Sequence, residues 1–226
     1  AQGRVLALFQ LAKLDTEHFL IILPSLDSQW LIQYFNQYKF RSKFNIRVVN
    51  QMHAEGQFCE SDPTTSALAS FAGDLDQGFA MQIPHTLANR VLRFTQALPE
   101  NNSEALDQWH CADMSIGWLW IDSNLQNIWT PQMLSLQHLP ALSLKKGCYP
   151  GQEIVARTHY LGKSKRHLQH ISGLGLTNGQ ILLQNNQEIG KVVNANAHGN
   201  YAVAVLPIEL NNDWPIQNNV NEVTIL

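Results

Sequence analysis

Charge is scarce in this 226-residue chain: Lys, Arg, Asp and Glu make up only 15% of it, and the net charge is −3. That balance excludes a disordered acidic or basic chain, and it lacks the basic excess of a dedicated nucleic-acid binder. No apolar stretch is long enough to cross a bilayer. The opening Ala1-Gln2-Gly3-Arg4 does not read as a signal peptide. Cysteine is equally sparse. Cys59, Cys111 and Cys148 are odd in number and far apart, with no CxxC pair and no zinc spacing. Free thiols in a reducing compartment are expected, hence a cytoplasmic location. Cys59 and Cys111 read as small buried hydrophobes. There is no internal repeat and no GxSxG elbow. Gly162-Lys163-Ser164 looks like the end of a phosphate-binding loop, but Arg157 stands where that loop needs glycine. His159, His167 and His170 lack partners at metal-ligand spacing, so no metal is expected.

What is present is a foldable apolar content, 45% of residues. Residues 5–11 and 19–23 predict a hairpin of nearly continuous apolar strands, buried on both faces. A helix capped by Asp27 or Ser28 carries Leu31, Tyr34, Phe35 and Tyr38 at helical spacing. Residues 46–52 predict a strand, 60–66 a loop and 78–83 another strand. Leu87, Val91, Phe94 and Leu98 predict a second helix. A third is expected from Asn101, with Glu104 in a capping-box position, to about Ile116, ended by Gly117. The irregular alternation indicates an α+β class. After residue 166, turn signals at Asn178-Gly179, Asn185-Asn186 and His198-Gly199-Asn200 separate short β-type runs. They predict a small all-β module, a barrel or closed sandwich. The expected division is 1–144 for the α+β domain, 145–165 for a junction and 166–226 for the β module.

The junction concentrates charge. Residues 145–166 hold six of the 15 Lys and Arg residues and one acid, Glu153. Such a field suits an anionic ligand tail, although a solvated basic loop reads the same way. Within it, Cys148 follows Lys145, Lys146 and Gly147, and neighbouring cations favour a thiolate. Gly147 and Gly151 permit turns and close approach of a ligand, and residues 153–157 can start a helix or a strand. Upstream, residues 109–129 hold four of the six tryptophans. Most tryptophans pack cores, but an indole can also be a stacking wall for a flat heterocycle. If the third helix forms, Asp113 lies one turn beyond Trp109 on the same face, a carboxylate beside an aromatic plane.

Lys146-Gly147-Cys148-Tyr149-Pro150-Gly151-Gln152-Glu153, followed by Val155-Ala156-Arg157 and Gly162-Lys163-Ser164-Lys165-Arg166, closely resembles the K-G-C-Y-x-G-Q-E signature of the YgfZ family. Trp109, Gly117, Asp122 and Pro131-Gln132 fall where that family has comparable residues, and the resemblance runs along essentially the whole chain. It implies an aminomethyltransferase-like domain followed by a C-terminal β-barrel, as in relatives of the glycine-cleavage T-protein. It implies binding of tetrahydrofolate and support of iron–sulfur enzymes, and through them of tRNA modification. Its partners would be folate and iron–sulfur client or assembly proteins, with no direct nucleic acid and no membrane. On the same basis Cys148 is the functional cysteine, and Trp109, Asp113, Gln132, Lys146, Tyr149, Gln152, Glu153 and Arg157 are the candidate cofactor-binding residues. A folate-dependent aminomethyltransferase is the alternative. Two departures stand out: Ser115 occupies a position where the family has a glutamate, and Ala1-Gln2-Gly3-Arg4 resembles a motif interior to the family.

Overall fold

The structure, a computed structural model, describes residues 3–50, 52–59, 71–74, 78–83, 89–139, 141–146, 149–162, 164–210 and 215–226. Two compact units are present. One is Phe9–Trp109, and the other is His110–Leu226 together with Ala1–Leu8. The class is mixed α+β, with three α-helices among the described residues and one closed barrel.

The Phe9–Trp109 unit opens with a hairpin in which β1 (Gln10–Lys13) pairs antiparallel with β2 (Phe19–Ile22). Asp15 builds its turn. The carboxylate accepts the backbone N–H of Glu17 at 2.7 Å and of His18 at 2.8 Å, and it pairs with the His18 ring at 2.7 Å. These bonds, that from Glu17 foremost, lower the Asp15 pKa to about 2. The strands are shorter than expected, and Leu11 and Phe19 are exposed, so burial on both faces does not hold. The earlier part of the apolar run serves the other unit. There Val5 donates to the Trp129 carbonyl at 2.8 Å and accepts from Asn127 at 2.9 Å. Helix α1 (Ser28–Asn36) starts at the expected cap, with Asp27 Oδ1 accepting the Gln29 N–H at 2.9 Å.

A four-stranded antiparallel sheet follows, in the order β3 (His53–Cys59), β6 (Asn89–Thr95), β5 (Gly78–Ile83), β4 (Phe71–Asp74). Two expectations fail here. The described residues of the 46–52 segment form no strand, and the second helix is instead β6. The register explains the second. Gly56, Phe58, Phe79, Met81, Arg90, Leu92 and Phe94 share one face, and Glu55, Gln57, Ala80, Val91 and Arg93 share the other. Period two is therefore present, but the inner face includes a glycine and an arginine, which mask it. Val91 and Phe94, chosen for helical spacing, point to opposite faces of the strand. Phe79 and Phe94 stack across strands at 4.4 Å. The loop expected at 60–66 lies outside the described residues.

Helix α2 (Ser103–Ser115) begins in this unit and ends in the other. Asn102, one residue past the expected start, caps it by accepting the Ala105 N–H at 3.0 Å. Gly117 ends the turn at φ 74, with bonds from Gly117 to the Met114 carbonyl and from Trp118 to the Asp113 carbonyl, both 2.9 Å. That is the double-bonded stop that a left-handed glycine permits.

The second unit contains α3 (Gln152–Tyr160) and a closed barrel of six strands. Its strands are β7 (Arg166–Ser172), β8 (Ile181–Gln184), β9 (Gln187–Ala195), β10 (Tyr201–Pro207), β11 (Ile216–Gln217) and β12 (Glu222–Ile225). Around the barrel they run β10-β7-β12-β11-β8-β9. Of the expected barrel and sandwich, the barrel forms. Gly179, Asn185, Asn186 and Gly199 all adopt positive φ at the expected turns. Strand β10 is apolar on both sides because each side meets a different core. Ala202, Ala204 and Leu206 pack with Ile171, Leu182 and Val192. Val203 and Val205 pack with Met114, Leu119, Ile121, Leu125, Trp129 and Leu134. Buried Asn194 joins the two layers: its side chain accepts the Trp120 N–H at 3.1 Å and donates to the Trp120 carbonyl at 2.9 Å.

Candidate functional site

The junction between residues 143 and 160 is tied down by side-chain bonds to backbone. Gln152 Nε2 donates to the Lys146 carbonyl at 2.7 Å, and the Tyr149 hydroxyl donates to the Ser143 carbonyl at 3.4 Å. The Lys146 N–H donates to Ser143 Oγ at 3.3 Å, and the Gln152 N–H to the Tyr149 carbonyl at 3.1 Å. Gly151, at φ 85, turns the chain into α3, so the open choice between helix and strand for residues 153–157 resolves as helix. Gly151, as the residue that starts the helix, supplies no side-chain cap. Glu153 and Arg157 stand one turn apart on α3, and both are exposed, as are Lys145 and Lys146. Gly147, Cys148 and Lys163 lie outside the described residues.

Gln132 reaches α3 from the preceding segment. It is 7% exposed, and its Nε2 donates to the Val155 carbonyl at 2.8 Å. Among the described residues its Oε1 is buried without a hydrogen-bond partner. A buried acceptor left unmade costs about 1–3 kcal/mol, so this oxygen stands ready for a donor. Lys146, Tyr149, Gln152 and Gln132 are thus gathered around the start of α3. Asp113 sits on α2, where its backbone carbonyl accepts from Ile116 and Trp118. The Ser115 hydroxyl turns into its own helix and donates to the Ala112 carbonyl at 2.8 Å.

Trp109 belongs to the Phe9–Trp109 unit, and its partners there escape sequence reading. Its indole lies over Gly56, where an added Cβ would come within 2.6 Å of Cε3. The guanidinium of Arg90, at 0% exposure, sits 4.5 Å from the ring centroid. Arg90 Nη1 also donates to the Trp109 carbonyl at 3.3 Å. Phe58 meets the indole edge-on at 5.6 Å. Strand parity would have separated Arg90 from Arg93, but only once residues 89–95 were read as a strand. Of the other tryptophans, Trp129 is core and Trp120 meets the His110 ring at a tilt, 4.7 Å between centroids.

His170 is a partly buried strand residue. Its Nδ1 lies 2.8 Å from the Tyr201 hydroxyl, and burial pushes the imidazole pKa below its usual value. Burial, then the neighbouring Cys111, pushes the Tyr201 phenol up. Cys111 itself is half-buried against the apolar cluster around Met114. Among the described residues no group of three or more His, Cys, Asp and Glu could hold a metal ion, and no helix is long and apolar enough to cross a membrane.

No protein-family model matches the chain. Among curated proteins, the tRNA-modifying protein YgfZ of Cronobacter sakazakii is 41% identical over 76 residues, which is 34% of this chain and 23% of that protein. The tRNA-modifying protein YgfZ of Yersinia enterocolitica is 41% identical over 94 residues, 42% of this chain and 26% of that protein. An uncharacterized protein of Haemophilus influenzae is 30% identical over 174 residues, 73% of this chain and 55% of that protein. Over the stretches they cover, the named matches support a relationship to the YgfZ family. Its matches span about a quarter of the two named YgfZ proteins and about half of the Haemophilus protein. The described residues before α3 that match the YgfZ signature are fastened by bonds among Ser143, Lys146, Tyr149 and Gln152.

Proposed function

We propose that this chain is the folate-binding part of an accessory protein that supports iron–sulfur enzymes and, through them, tRNA modification. Cys148 would be its functional thiol. The observation that carries the reading is the K-G-C-Y-x-G-Q-E loop in a chain whose named relatives are tRNA-modifying proteins. The local chemistry supports it. A pterin offers ring N–H and amino donors, and Gln132 Oε1 is a buried acceptor without a partner among the described residues. A polyglutamate tail is anionic, and Lys145, Lys146 and Arg157 are exposed near the same helix. Trp109 would offer its indole as a stacking surface from an aminomethyltransferase-like fold. A protein of this kind works in the cytoplasm. A catalytic aminomethyltransferase is less well supported, because Ser115 has no carboxylate and its hydroxyl is turned to the helix backbone.

Thermal unfolding of the 226-residue chain with tetrahydrofolate tests the ligand. At a hundredfold excess over Kd, stabilisation of about 2.7 kcal/mol is expected by mass action on the native state. An unchanged midpoint at saturating ligand rejects folate binding. Cys148→Ala is expected to keep the fold while failing to restore iron–sulfur enzyme activity and tRNA thiomethylation in a deletion strain. Full restoration removes Cys148 from the mechanism.

A further inference from the structure

From residue 28 to residue 54 the chain contains no acidic residue, yet it carries Lys39, Arg41, Lys43 and Arg47. A net charge of −3 over the whole chain conceals this local excess. Aromatic rings alternate with the cations: Tyr38, Lys39, Phe40, Arg41, Ser42, Lys43, Phe44. The segment continues an aromatic ladder on α1, where Trp30 stacks on Tyr34 at 5.5 Å and Tyr34 meets Tyr38 at 5.3 Å.

The rings of this segment face water. Phe40 is 88% exposed and Tyr38 43% exposed, and Phe44, Arg41, Lys43 and Arg47 are exposed as well. Scattered exposed apolar residues are ordinary, but a run of exposed rings with cations between them marks an interaction surface. The backbone here is set rather than frayed: Tyr38 bonds to the Phe35 carbonyl at 3.0 Å and Ser42 to the Lys39 carbonyl at 2.8 Å. Phe40 is held at φ 38, a conformation that costs a non-glycine residue about 1 kcal/mol or more. Lys39 Nζ lies 5.2 Å from the Phe44 ring centroid, so a cation and a ring are presented together.

The partner must offer flat faces and negative charge at the same spacing. Single-stranded nucleic acid does so, since its bases are free to stack and its phosphates run alongside. A duplex hides its base faces. A membrane surface would favour a helix with apolar and basic residues segregated, whereas here they alternate along a turn. We propose that residues 38–47 form a binding surface for single-stranded nucleic acid, with Tyr38, Phe40 and Phe44 stacking on bases and Lys39, Arg41, Lys43 and Arg47 contacting phosphates. The proposal lies wholly in the Phe9–Trp109 unit and does not depend on folate binding.

The test is fluorescence anisotropy of the 226-residue chain with labelled 15-mers of oligouridylate and oligothymidylate. Each phosphate contact on a single strand contributes a log–log salt slope of about −0.7, so four contacts predict about a 50-fold loss of affinity between 50 and 200 mM salt. Arg41→Glu with Lys43→Glu should abolish most binding and flatten the slope to about half. Phe40→Ala should weaken binding by roughly tenfold with the slope unchanged, because it removes stacking and not charge. Circular dichroism checks that both variants keep the fold. Absence of binding at 50 mM salt overturns the proposal. So does a flat salt response, indifference to both variants, equal competition by a duplex of the same length, or a preference for phosphatidylglycerol vesicles.

Discussion

The barrel and the four-stranded sheet solve the same problem in opposite ways. In the barrel every strand is paired on both edges, and β10 buries both of its sides between two apolar clusters. In the β3-β6-β5-β4 sheet only one face is apolar, the other carries Glu55, Gln57 and Arg93, and the inner face admits the indole of Trp109 by placing Gly56 beneath it. Closure removes free edges and makes the packing unforgiving. An open sheet keeps room on its face for a large side chain that can be shifted. The two glycines show the contrast. A Cβ on Gly190 would lie 2.3 Å from the Val205 carbonyl oxygen, which belongs to the barrel backbone. A Cβ on Gly56 would meet the Trp109 ring first, 2.6 Å from its Cε3.

Gly190→Ala should therefore be the more damaging change, costing about 3 kcal/mol or more in urea unfolding, because a ladder carbonyl cannot retreat. A loss under about 1 kcal/mol would mean the barrel yields more readily than its closure implies. Gly56→Ala should cost about 1 kcal/mol and displace the indole, seen as a change in the near-ultraviolet tryptophan signal. If it destabilises as much as Gly190→Ala, the distinction between the two sheets disappears.

The smallest effect sharpens the comparison through pH. His170, held in the barrel against Tyr201, has its folded pKa depressed by burial. Its folded form binds fewer protons than the unfolded chain, so its contribution is present above the unfolded value of about 6.5 and is lost as pH falls below it. His170→Gln should flatten the decline in stability between pH 7 and pH 5 by no more than about 0.5 kcal/mol, because the ring is half solvated. A decline as steep as in the unaltered chain would assign the pH dependence to other groups.

How much was legible in the sequence tracks the same divide. The barrel strands announce themselves because turns such as Asn185-Asn186 and Asn178-Gly179 have a local chemistry that needs no tertiary context. Helices α1 and α2 were legible for the same reason, through Asp27 and Gly117. The open sheet was not. Strand β3 has few β-formers because one face is solvated and the other needs Gly56, and β6 hides its period by burying Arg90. At the candidate site the signature loop could be read directly. Its fastening to Ser143 and the Gln132 bond to α3 could not, since residues 132 and 155 lie far apart along the chain.

The order of residues alone determined the resemblance to the YgfZ family, the turn-delimited β module and the cationic glycine-rich loop, because each is written in neighbouring residues. Only the tertiary structure decided that residues 89–95 are a strand, that Arg90 lies against Trp109, and that Gln132 meets α3 with one oxygen unsatisfied among the described residues. Those outcomes depend on which distant surfaces exclude water together, a property no local pattern carries.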